Sequence, residues 1–246
     1  MHPVAFASLT LLAWAVANGV PHLAVRAAGR RIHYELPTLA SIMLVENGIM
    51  LMNLAAAVWL ASLPAVGVAG AAGGSRSVWS ALGWRFDAVA MFWGLAGLAA
   101  VTVWSGLVGR LTPRQIIYGP LSARSGRGGA AFAALSLLTL PALCEETMFR
   151  GLIQGATGRA FGPVVGIALA AALYGLRHLP ADLYWARVHG ARWPGWLNRI
   201  LELYGAAIIF GLARHLSGST FASWIAHEGM AVVIARQFLP AARKGK

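Results

Sequence analysis

The sequence predicts an all-α fold, a polytopic membrane helical bundle of about seven (six to eight) transmembrane helices. Three observations carry this. The 246 residues are 58% hydrophobic and only 11% charged, whereas a soluble domain carries about 25% charged residues. The mean hydropathy is +0.65. The apolar residues also gather into runs that approach the roughly 20 residues a bilayer span needs.

Taken in order, the candidate spans are 4–24, 38–65, 86–108, 129–149, 160–177, 203–217 and 219–239. The first, within MHPVAFASLTLLAWAVANGV, lacks the basic start of a signal peptide and reads as a retained helix. The second is long enough to tilt or to kink near Gly48, and the sixth is short. Between the second and third, the Gly- and Ser-rich stretch 66–85 reads as a flexible external loop. Pro180 is expected to end the fifth helix. After it, 178–202 mixes aromatics with arginines and suits an interfacial or re-entrant stretch. No internal repeat is visible. The expected organisation is one membrane-embedded domain, with N-terminal helices over 1–128 and a core over 129–239.

The formal charge of +12 does not point to nucleic acid, because the 20 basic residues form no stripe or aromatic-interleaved patch. They fall near the ends of the apolar runs. With each Lys or Arg assigned to its nearest gap, the counts run three, two, four, two, four, one and four. That alternation places the N-terminus outside and the C-terminal RKGK in the cytoplasm. The partner implied is membrane lipid, through the cationic loops; the family resemblance described below implies a membrane-associated protein or peptide as well. Cys144 is the one cysteine, which excludes an intrachain disulfide and a CxxC metal site.

Ionisable groups inside the apolar runs cost about 2.5–3.5 kcal/mol each and mark function or buried pairing. Those of interest are Glu46, Glu145, Glu146, Arg150, His178, Glu202, His215, His227 and Glu228. Asn18, Asn47 and Asn53 read as interhelical hydrogen-bonding residues, and so does Glu46. In LPALCEETMFRG, Glu146 and Arg150 are four apart and share a helical face, so they pair. Glu145 points elsewhere and is left without a local partner, the setting of a general base. In YGLRH, Tyr174 and His178 share a face; in WIAHEGM, His227 and Glu228 sit mid-span.

Three chemistries fit one Glu and two His drawn from different helices. Glu145 could activate a water while His178 and His227 position it and steady the developing charge. Alternatively, the His and Glu side chains could bind zinc with one open position, although the HExxH signature is absent. Cys144 as nucleophile is disfavoured, because the neighbouring carboxylates oppose a thiolate.

These stretches resemble a known family. EETMFRG is similar to the EExxxR motif of the CPBP family, which includes type II CAAX prenyl proteases and the bacteriocin-processing Abi proteins. YGLRH resembles its FxxxH motif with Tyr for Phe, and IIFGLARHLSGSTFASWIAH resembles its closing helix pair, ending at the His of HxxxN. The resemblance covers about 129–239 and implies an α-helical intramembrane glutamic endopeptidase that needs no cofactor, zinc being the minor alternative. Glu145, His178 and His227 would be catalytic, with Glu146, Arg150 and Tyr174 in support. One departure is clear: where the motif asks for Asn, thought to help hold the oxyanion, this chain has Ala231. Ser223, one turn before His227 on the same face, is a candidate replacement donor.

The Ala-, Gly- and Arg-rich composition suggests a bacterial protein, and hence a multi-pass protein of the inner membrane. Among bacterial relatives, the resemblance implies cleavage of sorting tails, peptide processing or bacteriocin immunity as activities. The rivals to a protease are a non-catalytic immunity or partner protein, which Ala231 favours, and a transporter, which the lack of a repeat opposes.

Overall fold

The computed structural model describes residues 51, 54, 55, 58, 59, 78–113 and 139–238. Its regular elements there are all helical. The expected span 4–24, most of 38–65, the loop 66–77 and the start of 129–149 lie outside the described residues. The elements are α1 (Val78–Ala81), α2 (Ala88–Leu111), α3 (Leu140–Glu146), a π-helical segment (Thr147–Gln154), α4 (Gly155–Phe161), α5 (Pro163–His189), α6 (Trp193–Ser217) and α7 (Thr220–Phe238).

Two described helices, α2 and α6, are long and apolar enough to cross a bilayer, and Pro163–Leu179 of α5 is a shorter apolar stretch. The outward face of α2 is itself apolar: Phe92 is 63% and Val103 70% exposed. A helix apolar all round, with one such face exposed, has the character of a membrane span. Its start is capped by Asp87, which accepts from the Ala90 N–H at 2.8 Å. That bond, reinforced by the adjacent Arg85, holds the Asp87 carboxyl below its ordinary range.

Three expectations are corrected. The sixth helix is not short, because α6 begins at Trp193. Nor does Pro180 end the fifth: α5 runs through it and stops at Gly190, whose left-handed backbone returns an N–H to Ala186 O. One missing N–H costs one helical bond, and the remaining bonds of a 27-residue helix carry the chain across. As a result 178–202 is mostly two helices meeting at a short turn.

Small residues let α2 and α7 approach closely. A Cβ added at Gly97 would lie 2.6 Å from the Ala226 Cβ, and one at Gly229 would lie 2.8 Å from Leu98 O. α6 is fastened to α2 by polar bonds: Trp104 Nε1 donates to Leu201 O at 2.9 Å, and Asn198 Nδ2 to Thr112 Oγ1 at 2.9 Å. At the opposite end of α6, Gly218 turns the chain with φ +68. There Thr220 Oγ1 donates to Leu82 O and Ser219 Oγ to Arg85 O, both at 2.6 Å. The segment before α2 is thereby sewn to the α6–α7 turn.

Overpacking this contact should destabilise the bundle. Gly97→Leu is expected to cost about 1–3 kcal/mol, read as a lower Tm in detergent. Gly106→Leu, at a position where an added Cβ meets nothing within 4 Å, should leave Tm nearly unchanged.

Candidate active site

The junction of α3 with the π-helical segment brings an unusual amount of charge indoors. Glu146 and Arg150 are fully buried, and Glu145 is 4% exposed. Such wide turns often mark functional sites. Desolvated charge must be paired. Arg150 Nε lies 3.3 Å from Glu146 Oε2, a charge contact rather than an aligned hydrogen bond. Arg150 Nη2 donates to Ala207 O at 2.9 Å. Its guanidinium also covers the rings of Tyr174 at 4.7 Å and Phe210 at 5.2 Å. The pairing expected from the i, i+4 spacing is therefore present.

The other oxygen of Glu146 reaches across to α7. His227 Nδ1 stands 2.9 Å from Glu146 Oε1. A carboxylate there takes the Nδ1 hydrogen and leaves a lone pair on Nε2. Phe210 stacks on the imidazole at 4.5 Å and 18°, which fixes the ring plane. Nε2 meets the Tyr174 hydroxyl at 3.2 Å and faces Glu145 Oε2 at 3.8 Å.

Glu145 is not partnerless, contrary to the sequence expectation. Arg177 Nη2 binds its Oε1 at 2.8 Å, with both side chains buried. Helical phase on one helix cannot reveal a partner on another, and Arg177 comes from α5. The same guanidinium donates through Nη1 to His178 Nε2 at 2.9 Å, while His178 Nδ1 donates to Tyr174 O at 2.9 Å. His178 therefore joins the site through Arg177 rather than by a direct bond to Glu145. Arg177 is the residue that sequence reasoning missed. The available signal was charge arithmetic: two buried acids and only Arg150 to balance them, with another arginine beside His178 in an apolar run.

Around this centre the remaining candidates sort out plainly. Ser223 is fully buried, and its hydroxyl donates to Thr220 O at 2.8 Å, so as placed it offers the site no proton. Position 231 lies on α7, and the structure does not describe its side chain. Cys144 is fully buried. Glu228 has a buried Oε1 without a hydrogen-bond partner among the described residues. Glu202 is buried on α6, and His215 is exposed near that helix's end. Glu46, Asn18, Asn47 and Asn53 lie outside the described residues. Among the described residues, no group of three or more His, Cys, Asp or Glu side chains is placed to hold a metal ion.

Two carboxylates, two guanidiniums and two histidines thus meet between α3, the π segment, α5 and α7, inside helices of membrane character. The class is an all-helical protein of membrane character with a buried, charge-balanced cluster of carboxylates, guanidiniums and imidazoles. Residues 127–233, which include every one of these groups, match the model of the family described as type II CAAX prenyl endopeptidase Rce1-like, which supports membership of the CPBP family. That family is one of integral-membrane proteases. No curated protein and no solved structure matches the chain.

The pairing of Glu145 with Arg177 is open to test by a double-mutant cycle in detergent. Arg177→Leu should destabilise the protein by about 3–5 kcal/mol, because it strands a buried carboxylate. Adding Glu145→Leu should recover part of that loss. Strictly additive losses would show that the two groups do not interact.

Proposed function

We propose that the chain is an intramembrane endopeptidase that hydrolyses a peptide bond in a membrane-associated protein or peptide, with Glu145 as general base. The observation that carries this is the fixed orientation of two facing acceptors. Arg177 holds Glu145 through Oε1, which leaves Oε2 turned toward His227 Nε2 at 3.8 Å. Glu146 holds His227 through Nδ1, which leaves Nε2 as an acceptor. A water beside this gap can donate one hydrogen to each and direct a lone pair outward at a substrate carbonyl.

The steps then balance. Glu145 Oε2 takes a proton as the water oxygen bonds to the carbonyl carbon, giving a tetrahedral oxyanion. Collapse of that intermediate breaks the C–N bond, and Glu145 returns the proton to the leaving amine. The products are a carboxylate and an amine. His227 steadies the water, and His178 keeps Arg177, and so Glu145, in position. Metal chemistry fits the donor set less well: the Arg177 guanidinium occupies the space between Glu145 and His178, where a cation would be repelled.

The oxyanion needs a donor, and Ala231 has no polar side chain to give. Tyr174 supplies one. Its hydroxyl already lies 3.2 Å from His227 Nε2, and it can turn from that lone pair to the oxyanion once water occupies Nε2. The ring that carries it is wedged edge-on against Phe149 at 5.4 Å and Phe210 at 6.2 Å. Such a preorganised donor is worth about 10²–10³ in rate.

The substrate class is a membrane-proximal peptide segment, and the setting a bacterial inner membrane with the N-terminus outside. A second reading, a non-catalytic immunity or partner protein, rests on Ala231 alone.

Comparing the membrane peptides of cells that express wild type and Glu145→Gln at equal abundance tests the activity. Cleavage products should vanish with Glu145→Gln and with His227→Ala, about 10²–10⁴-fold down for loss of acid–base catalysis. Products that persist with Glu145→Gln would refute the glutamate mechanism, and loss on chelation would restore zinc.

Tyr174→Phe separates the oxyanion role from the base. Turnover should fall about 10²–10³-fold with little change in KM, and Ala231→Asn in the Tyr174→Phe background should recover part of it. An unimpaired Tyr174→Phe enzyme would remove Tyr174 from the mechanism.

A further inference from the structure

The charge cluster stands halfway along the bundle. One end of the bundle is the joint between the segment before α2 and the α6–α7 turn, where Ser219 Oγ donates to Arg85 O at 2.6 Å. The other end is marked by Asn198 of α6, which bonds Thr112 at the close of α2. The next residue, Arg199, pairs there with Asp182 of α5 at 2.9 Å. On α2 the level of the cluster is Gly97, which faces Ala226 beside His227. At 1.5 Å per residue, Gly97 is about 14 Å from the start of α2 and about 21 Å from its end. On α5 the bias is reversed: Tyr174 is about 17 Å from the helix start and about 12 Å from Asp182. α6 falls between, because Ala207, the partner of Arg150, is about 14 Å from Asn198 and about 15 Å from Ser217.

Helices of the length and composition of α2 and α6 match the roughly 30 Å core of a bilayer. With the two ends of the bundle at the two surfaces, the cluster is about 15 Å below either one. A peptide bond brought to Glu145 and His227 has to reach that depth. The side chains exposed at this level include Val103 of α2, Leu176 of α5 and Ile208 of α6, all apolar. A polar segment laid against them would lose its water and gain no partners. An apolar segment matches them.

An intact helix cannot offer its bonds for hydrolysis. Each helical carbonyl is bonded to the N–H four residues on, and side chains wrap the backbone to a diameter of about 10–12 Å. Glu145, Glu146 and Arg150 are buried in their own packing, so the substrate has to bring a bare carbonyl to them. Unwound backbone at such depth is tolerated only where it is enclosed by protein. Unwinding is therefore expected against the bundle, and most easily at glycine, which disfavours helix.

We propose that the substrate is an apolar segment inserted in the bilayer and cut near the midplane, about ten helical residues from its surface end, at a locally unwound, glycine-containing stretch. This rests on the protease reading and narrows its substrate to a segment that enters the bilayer core. The bond broken and the fate of the proton are those of the hydrolysis already described. The cut leaves stubs of about ten apolar residues, each too short to span a bilayer. Hydrolysis thus ends the transmembrane state of the substrate and frees both halves.

The test uses the full-length protein, co-expressed with reporters that carry one Leu- and Ala-rich span between two soluble tags. A Gly-Gly pair stands at mid-span, near either end, in the polar linker just outside the span, or nowhere. Product termini are mapped by mass spectrometry in cells with wild type or Glu145→Gln at equal abundance. Wild type should cut within a turn of the mid-span pair and give about tenfold more product there than from spans with the pair at an end or absent, the effect of two glycines on a helix. Glu145→Gln should give none. Cleavage in the linker, or equal cleavage wherever the pair stands, would overturn the mid-depth assignment and leave the protease reading intact. Native membrane peptides cut in a Glu145-dependent way, with every reporter untouched, would do the same. If Glu145→Gln alters neither reporters nor native peptides, the protease reading fails and this inference with it.

Discussion

Glu146 engages two partners that would otherwise be stranded indoors. One oxygen accepts from His227 Nδ1 at 2.9 Å, and the other faces Arg150 Nε at 3.3 Å. Remove it and Arg150 becomes a fully buried cation held only by the Ala207 carbonyl and two ring faces. His227 would lose the partner that sets its tautomer. Breaking such a buried pair costs about 3–5 kcal/mol. The same carboxylate therefore ties the π segment to α7 and turns the Nε2 lone pair toward Glu145. Tyr174 and Phe210 also touch both Arg150 and His227, and Glu146 is the carboxylate that pairs with both.

Charge balance explains why the cluster can exist in a buried interior. Two carboxylates meet two guanidiniums, Glu146 with Arg150 and Glu145 with Arg177. The pairs differ in kind. Arg150 is enclosed by aromatic faces and a carbonyl, a permanent fixture. Arg177 forks between Glu145 and His178, two groups that differ in charge and in the partners they can exchange. The first pair is scaffold, while the second links Glu145 to His178. The close approach of α2 to α7 at Gly97 and Gly229 supports this arrangement by holding the helix that carries His227.

Much of this was legible in the sequence, for physical reasons that also show why the rest was not. The membrane class follows from composition, and the Glu146–Arg150 pair from i, i+4 spacing, because both depend on local chemistry alone. The motif order also brought Glu145, Tyr174, His178 and His227 to one region. What failed were one statement about a contact between helices and two about bonds within a helix. Glu145 looked free because its partner Arg177 lies 32 positions on, where periodicity says nothing about neighbours. Ser223 looked available because helical phase gives a face but not the Thr220 carbonyl that takes its proton. Pro180 looked like a terminator because the local rule weighs one lost bond and not the helix on either side of it.

Tyr174 spans two parts of the site. Its ring lies under the Arg150 guanidinium at 4.7 Å while its oxygen reaches the histidine. The group proposed to hold the oxyanion is thereby packed against the cation that anchors Glu146, so the donor and the orienting carboxylate are held by a single contact.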